Sequence, residues 1–163
     1  DMAFLGMAEC NAKGDVNVSK FKDRIAGCGG FINITQNTHK VVFCGTFTAK
    51  GLREEIRDGK LVITHKGAVQ KFIDKVGQIT FSAEYAHKHN QQVMFITERC
   101  VFLLTDKGLV LTEIAPGVDL QKDILDQMEF VPHIAENLKT MDERLFRDEP
   151  MGLAQDIFEQ QAG

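Results

Sequence analysis

Arg24-Ile-Ala-Gly-Cys-Gly-Gly-Phe-Ile-Asn-Ile-Thr-Gln-Asn-Thr-His-Lys-Val-Val-Phe-Cys-Gly-Thr-Phe-Thr48 is the stretch around which this chain is organised. Gly27, Gly29 and Gly30 predict a tight bend, because glycine takes positive φ readily and lets another molecule approach the main chain. The bend feeds one or two helical turns. At a helix start several backbone N–H groups lack intrahelical partners and can point at an anion. The stretch then passes into Val41–Cys44, whose unbroken apolarity fits a central strand covered on both faces. On the residues alone, two readings of the bend stay open: a turn required only by geometry, or one that faces an anion.

Working outward, Ala3–Ala8 reads as a buried strand, followed by a turn at Asn11–Gly14 and a short returning strand at Val16–Ser19. Downstream, Asp58-Gly59 sits between the arms Glu55-Ile-Arg57 and Lys60-Leu-Val-Ile63, a strong local hairpin signal. The many charges of Arg53–Thr64 predict that one face is solvated, as in an insertion at the edge of a sheet. Gln78–Ser82 and Val93–Thr97 are further expected strands. Val101–Leu104 and Leu109–Glu113 flank Thr105-Asp-Lys-Gly108 as a second hairpin. Asp119 is the expected N-cap of a helical segment Leu120–Met128, with Ile124, Leu125 and Met128 on one face. Beyond Pro132, apolar residues at Ile134, Leu138, Met141 and Leu145 predict an amphipathic helix over Ile134–Phe146. After Glu149-Pro150 the expectation is a short polar helix or a loose tail. The fold class is therefore α/β: an open mixed sheet, parallel at its core with antiparallel hairpins, flanked by helices.

With 163 residues the chain suits one domain with a real core. A net charge of −4 argues against a nucleic-acid or anionic-membrane surface, leaving room for a local basic pocket. No apolar run approaches the roughly 20 residues that cross a bilayer. Cys10, Cys28, Cys44 and Cys100 form no C-x-x-C pair or Cys/His ligand comb, so no metal site is expected. Free thiols beside apolar runs fit a reducing, cytoplasmic compartment. The chain opens inside a strand-like run, Asp1-Met-Ala-Phe-Leu5, and reads as a fragment.

Gly27-Cys-Gly-Gly-Phe-Ile-Asn-Ile-Thr-Gln-Asn-Thr38 followed by Lys40-Val-Val-Phe-Cys-Gly-Thr-Phe-Thr48 closely resembles the family I coenzyme A transferases, in particular their acetate/propionate (short-chain acyl) branch. The resemblance extends upstream through Met2-Ala-Phe-Leu-Gly6 and Gly14-Asp-Val-Asn-Val-Ser19. Downstream it takes in Ile79-Thr-Phe-Ser82, Val93–Phe102 and Glu113-Ile-Ala-Pro-Gly-Val-Asp119, and it fades after Arg147. It implies a CoA-transferase/NagB/RpiA-like fold, with residues 1–147 as the C-terminal part of a catalytic domain and 148–163 as a tail.

It also implies a chemistry. In that family a glutamate carboxylate attacks an acyl-CoA thioester to give an acyl-glutamyl anhydride and CoA thiolate. The thiolate then attacks the glutamyl carbonyl, leaving an enzyme–CoA thioester and a free acid, and a second acid reverses the steps. This is covalent catalysis with ping-pong kinetics; each tetrahedral intermediate needs fixed N–H donors for its oxyanion. The family's nucleophile stands in a Glu-x-Gly motif ahead of the segment matching Met2–Gly6, and no Glu-x-Gly occurs in this chain. The expected nucleophile therefore lies upstream, in the same protein or a partner subunit.

What remains by resemblance is the receiving half of the site. The backbone N–H groups of Gly30 and Gly29 face the thioester carbonyl, and Gly30 contacts CoA. Lys50, close behind the central strand, has two readings from its position: a cation that reaches a phosphate or the pantetheine arm of CoA, or a solvated lysine. CoA is a substrate, and no cofactor or metal is implied. Partners implied are acyl-CoA, short carboxylic acids and a second copy of the chain in a homo-oligomer. Glu98 reads as a paired carboxylate at a strand end, with a direct chemical role as the sharper option, and His87-Lys-His89 reads as a solvated turn. Two classes of function stay in view: a transferase segment competent only with its upstream part, and a nucleophile-free module that binds acyl-CoA or another partner.

Overall fold

Strand Lys40–Cys44 is indeed interior to the sheet, and the rest of the fold follows from what pairs with it. The computed structural model describes residues 1–162. Six strands form the main sheet: β1 (Met2–Gly6), β2 (Lys40–Cys44), β3 (Gln92–Ile96), β4 (Cys100–Thr105), β5 (Gly108–Ile114) and β6 (His133–Thr140), lying side by side in chain order. β1 and β3 run parallel to β2 on either side, with Ala3 and Val93 both opposite Val41. The β3–β4 and β4–β5 pairs are antiparallel and β5–β6 is parallel, so the sheet is mixed, as expected.

Parallel neighbours need crossovers. The β1–β2 crossover contains helix α1 (Phe31–Asn37), and the β2–β3 crossover contains α2 (Ala83–Lys88), capped by the Ser82 side chain. The first stacks Phe31 on Phe43, and Phe81, just ahead of α2, meets the same ring edge-on at 5.0 Å. Phe95 joins them from β3, and Phe47, Phe72 and Phe102 continue the aromatic core. Burying rings of this size is the main apolar contribution to stability.

Several local expectations are met. Asp58 and Gly59 both take positive φ between Arg53–Arg57 and Lys60–His65, the turn that Asp-Gly favours. Asp119 accepts from the Lys122 N–H and opens a wide turn at Leu120–Ile124, tightening to a 3-10 turn at Leu125–Gln127. Leu153–Ala162 is a helix, α3, tied back through Asp156 to Arg144.

Four expectations are corrected. The hairpin at Arg53–His65 does not extend the main sheet; it pairs only with itself. Gln78–Ser82 makes a single bridge, Phe81 to Val16, and exposes Ile79. β1 is an edge strand with Phe4 66% exposed, so it is not the buried strand that its composition suggested. Most consequentially, Ile134–Phe146 is not an amphipathic helix: it is strand β6 followed by a 3-10 turn at Glu143–Phe146. The free edge of β5 supplies a row of unpaired N–H and C=O groups, and pairing them outweighs helix propensity. The register jumps from Leu111–Ile134 to Glu113–Lys139, and this irregularity breaks the alternation that would have marked a strand.

Candidate functional site

Open α/β sheets bind ligands beyond the carboxyl ends of their parallel strands. Here β2 runs out into the loop Gly45–Thr48, which three charged side chains hold. Lys71 Nζ donates to the Thr46 carbonyl at 2.8 Å. Glu98, just past the end of β3, accepts from the Phe47 N–H at 2.8 Å and from Arg99 Nε at 2.9 Å. Arg99 also donates to Thr48 Oγ1 and to the Asp123 carbonyl, and its guanidinium lies 5.1 Å from the centre of the Phe47 ring.

Burial makes these contacts matter. Arg99 is fully buried, Lys71 is 7% exposed, and the Glu98 side chain is 14% exposed. Desolvation draws the Lys71 pKa down from the ordinary lysine range, and the Glu98 charge partly opposes that. Glu98 also borders a cleft of about 680 Å³ between the Arg53–His65 hairpin and the Glu143–Phe146 turn, with Ile96, Leu61 and Met141 among its apolar walls. Glu54 faces the same cleft. Burial first, and then the Glu98 charge, raise its pKa, while Arg99 lowers it.

The glycine bend is at the same end of β2, since Phe31, the first residue of α1, stacks on Phe43 at 5.8 Å. Gly27 and Gly29 take positive φ, whereas Gly30 has φ −82°. A Cβ on Gly29 would meet nothing within 4 Å, and one on Gly30 would only touch Ile34 at 3.6 Å, an ordinary contact. Both residues are exposed, and neither amide donates a hydrogen bond among the described residues. Lys50 also takes positive φ, ahead of Gly51, and extends into solvent.

No protein-family model matches the chain. Individual relatives do. The chain is 51% identical over 158 residues to a caffeate CoA-transferase of Acetobacterium woodii, covering 94% of this chain and 30% of the relative. It is 53% identical over 152 residues to the acetate CoA-transferase YdiF of Escherichia coli K12, covering 93% of this chain and 29% of the relative. The crystal structure of the YdiF apoenzyme from Escherichia coli O157:H7 superposes with a TM-score of 0.91 over 93% of this chain and 30% of that one, at 53% identity. Over 93–94% of its length this chain is homologous to one segment of these CoA-transferases. A second YdiF structure, described as a thioester complex with CoA, matches equally well. Glutaconate coenzyme A-transferase of Acidaminococcus fermentans, at 15% identity and TM-score 0.62, shares the fold alone. The chain spans about 30% of the length of the curated relatives it matches.

The structure places Gly29, Gly30 and Glu98 at the carboxyl end of the parallel strands. Lys50 lies farther along the loop, past the short strand Thr48–Ala49. Glu98 is held as the paired carboxylate that its position implied. His87 lies 3.9 Å from Asp106, and His89 stacks on Tyr85; among the described residues no cluster of three or more His, Cys, Asp or Glu is arranged for a metal. Sequence reasoning missed Lys71 and undervalued Arg99. For Arg99 the signal was a lone cation between the apolar runs Val93–Ile96 and Val101–Leu104. Lys71 offered only its neighbour Phe72, since its partner Thr46 is far off in sequence.

Proposed function

We propose that this chain is the C-terminal part of a CoA-transferase that exchanges CoA between a short-chain acyl-CoA and a carboxylic acid of the acetate, propionate or acetoacetate class. The observation that carries the reading is Gly30. Its φ suits any residue and its side-chain position is open, so neither backbone nor packing in this chain calls for glycine. Open space at Gly29 and Gly30, with both amides free of internal hydrogen bonds among the described residues, fits close approach by another group. The thioester carbonyl oxygen is that group, with the Gly29 and Gly30 amides as donors to the oxyanion.

The glutamate nucleophile comes from outside this chain, from an N-terminal part of the same protein or a partner subunit. Its carboxylate takes the acyl group and releases CoA thiolate; the thiolate returns to the glutamyl carbonyl and displaces the first acid. Lys50 reaches toward the phosphates or the pantetheine arm of CoA. Two relatives bear the names of CoA-transferases and one was crystallised as a thioester with CoA, which supports this chemistry. The reading includes a cytoplasmic homo-oligomer serving short-chain acid or ketone-body metabolism.

The test is to incubate the longer polypeptide carrying this segment with acyl-CoA, then add hydroxylamine or borohydride and map the product by mass spectrometry. An acyl-CoA-dependent modification on an upstream glutamate is expected, with no turnover by the isolated 163 residues. Absence of any such adduct would favour a binding module. Turnover by the isolated segment would place the nucleophile inside it.

A further inference from the structure

Lys71 is an ammonium with too few partners. It can donate three hydrogen bonds, yet its one acceptor among the described residues is the Thr46 carbonyl. The nearby acid, Glu98, is already committed, one oxygen to Arg99 and the other to the Phe47 N–H. Arg99 and Glu98 pair with each other, which leaves Lys71 without a carboxylate within hydrogen-bond distance among the described residues. Keeping an unpaired cation in a site only 7% exposed is unfavourable. A neutral donor would serve Thr46 as well.

Gly45 is shaped around that ammonium. A Cβ there would lie 2.9 Å from Lys71 Nζ, and Gly45 has no positive φ to explain the glycine otherwise. Gly45 is partly exposed, and a Cβ on it would also come within 3.6 Å of the Met7 carbonyl, so the tip lies near the place where β1 and β2 end. Next in the chain, Phe72 packs its ring at 4.8 Å from that of Phe47. A buried cation with free donors at the ligand-binding end of the strands suits a small anion.

We propose that the Lys71 ammonium binds the carboxylate of the acid substrate, with Gly45 giving it room. The inference rests on the transferase reading above and names which group receives the acid. It predicts a split between the two substrates, because acyl-CoA arrives with its carboxyl carbon already esterified to sulfur and uncharged.

The experiment uses the longer polypeptide that carries this segment, with acetate plus propionyl-CoA to read the acetate KM and propionate plus acetyl-CoA to read the acetyl-CoA KM. Lys71→Met should raise KM for acetate roughly 10- to 100-fold, the range expected for loss of a charged hydrogen bond. KM for acetyl-CoA and the yield of the acyl-CoA-dependent glutamyl adduct should stay within about threefold of the unsubstituted protein. Gly45→Ala keeps the charge but displaces it, and should raise the acetate KM in the same direction by about threefold or more. If Lys71→Met does not fold, Gly45→Ala carries the test, and an unchanged acetate KM in it overturns the inference. Equal shifts in both KM values, or none, also overturn it while the transferase reading survives. If the unsubstituted protein forms no adduct, both fall together.

Discussion

Replacing Arg99 by Met tests whether buried charges hold the loop at the end of β2. The substitution keeps much of the apolar stem and removes the guanidinium. It deletes donors to Glu98 at 2.9 Å, to the Asp123 carbonyl at 2.8 Å and to Thr48 Oγ1 at 3.0 Å, together with the approach to the Phe47 ring. Removing one member of a buried pair typically costs about 3–5 kcal/mol, because the other charge is left uncompensated. Glu98 keeps the Phe47 N–H and 14% exposure, so the lower end of that range, about 3 kcal/mol, is expected. With a urea slope of about 2 kcal/mol per molar, the midpoint falls by about 1.5 M. The chain has no Trp and one Tyr, so far-UV circular dichroism is the appropriate probe. The cycle is completed with Glu98→Gln and the double variant, which should lose about 1–2 kcal/mol less than the sum of the singles. A loss under about 1 kcal/mol for Arg99→Met, or strict additivity, would refute the claim that this pair anchors the loop.

Three further outcomes are expected. Gly30→Ala should cost less than about 1 kcal/mol of stability yet depress CoA transfer in the longer polypeptide, whereas Gly108→Ala should cost about 2–3 kcal/mol, since it combines φ +91° with a clash against the Ala12 carbonyl; urea curves for the pair decide this. The Arg144 side chain, and then its backbone N–H, draw the Asp142 carboxyl down to about 2. Because the folded-state value is depressed, its stabilisation is fully present above the unfolded value of about 3.9 and is lost as pH falls through about 2. Asp142→Asn should therefore flatten the acid limb of a stability–pH curve in that window. Finally, iodoacetamide at neutral pH should label Cys28 and Cys44 in the folded protein and reach Cys10 and Cys100 only on unfolding. The latter two are buried, and burial raises both thiol pKa values; mass spectrometry of tryptic peptides reads the pattern.

What could be read from the sequence is what short-range chemistry controls. Val41–Cys44 is apolar without interruption and lies inside the sheet, the Asp58-Gly59 turn closes its hairpin, and Asp119 caps the turn that follows it. Each of those outcomes depends on a few adjacent residues whose backbone preferences agree. The glycine bend was likewise visible, because two of its residues need positive φ.

Tertiary structure decided the rest wherever the deciding partner lies far along the chain. Ile134–Phe146 has helical spacing, but the open edge of β5 offers main-chain hydrogen bonds to an extended segment, and β6 takes them. Nothing local to Lys71 announces burial, and for Arg99 only the flanking apolar runs hint at it: each meets its partner in a loop more than twenty residues away. Sequence patterns record what a residue does to its neighbours in the chain. Which charge sits beside which carbonyl across the sheet is settled when the core closes and water leaves.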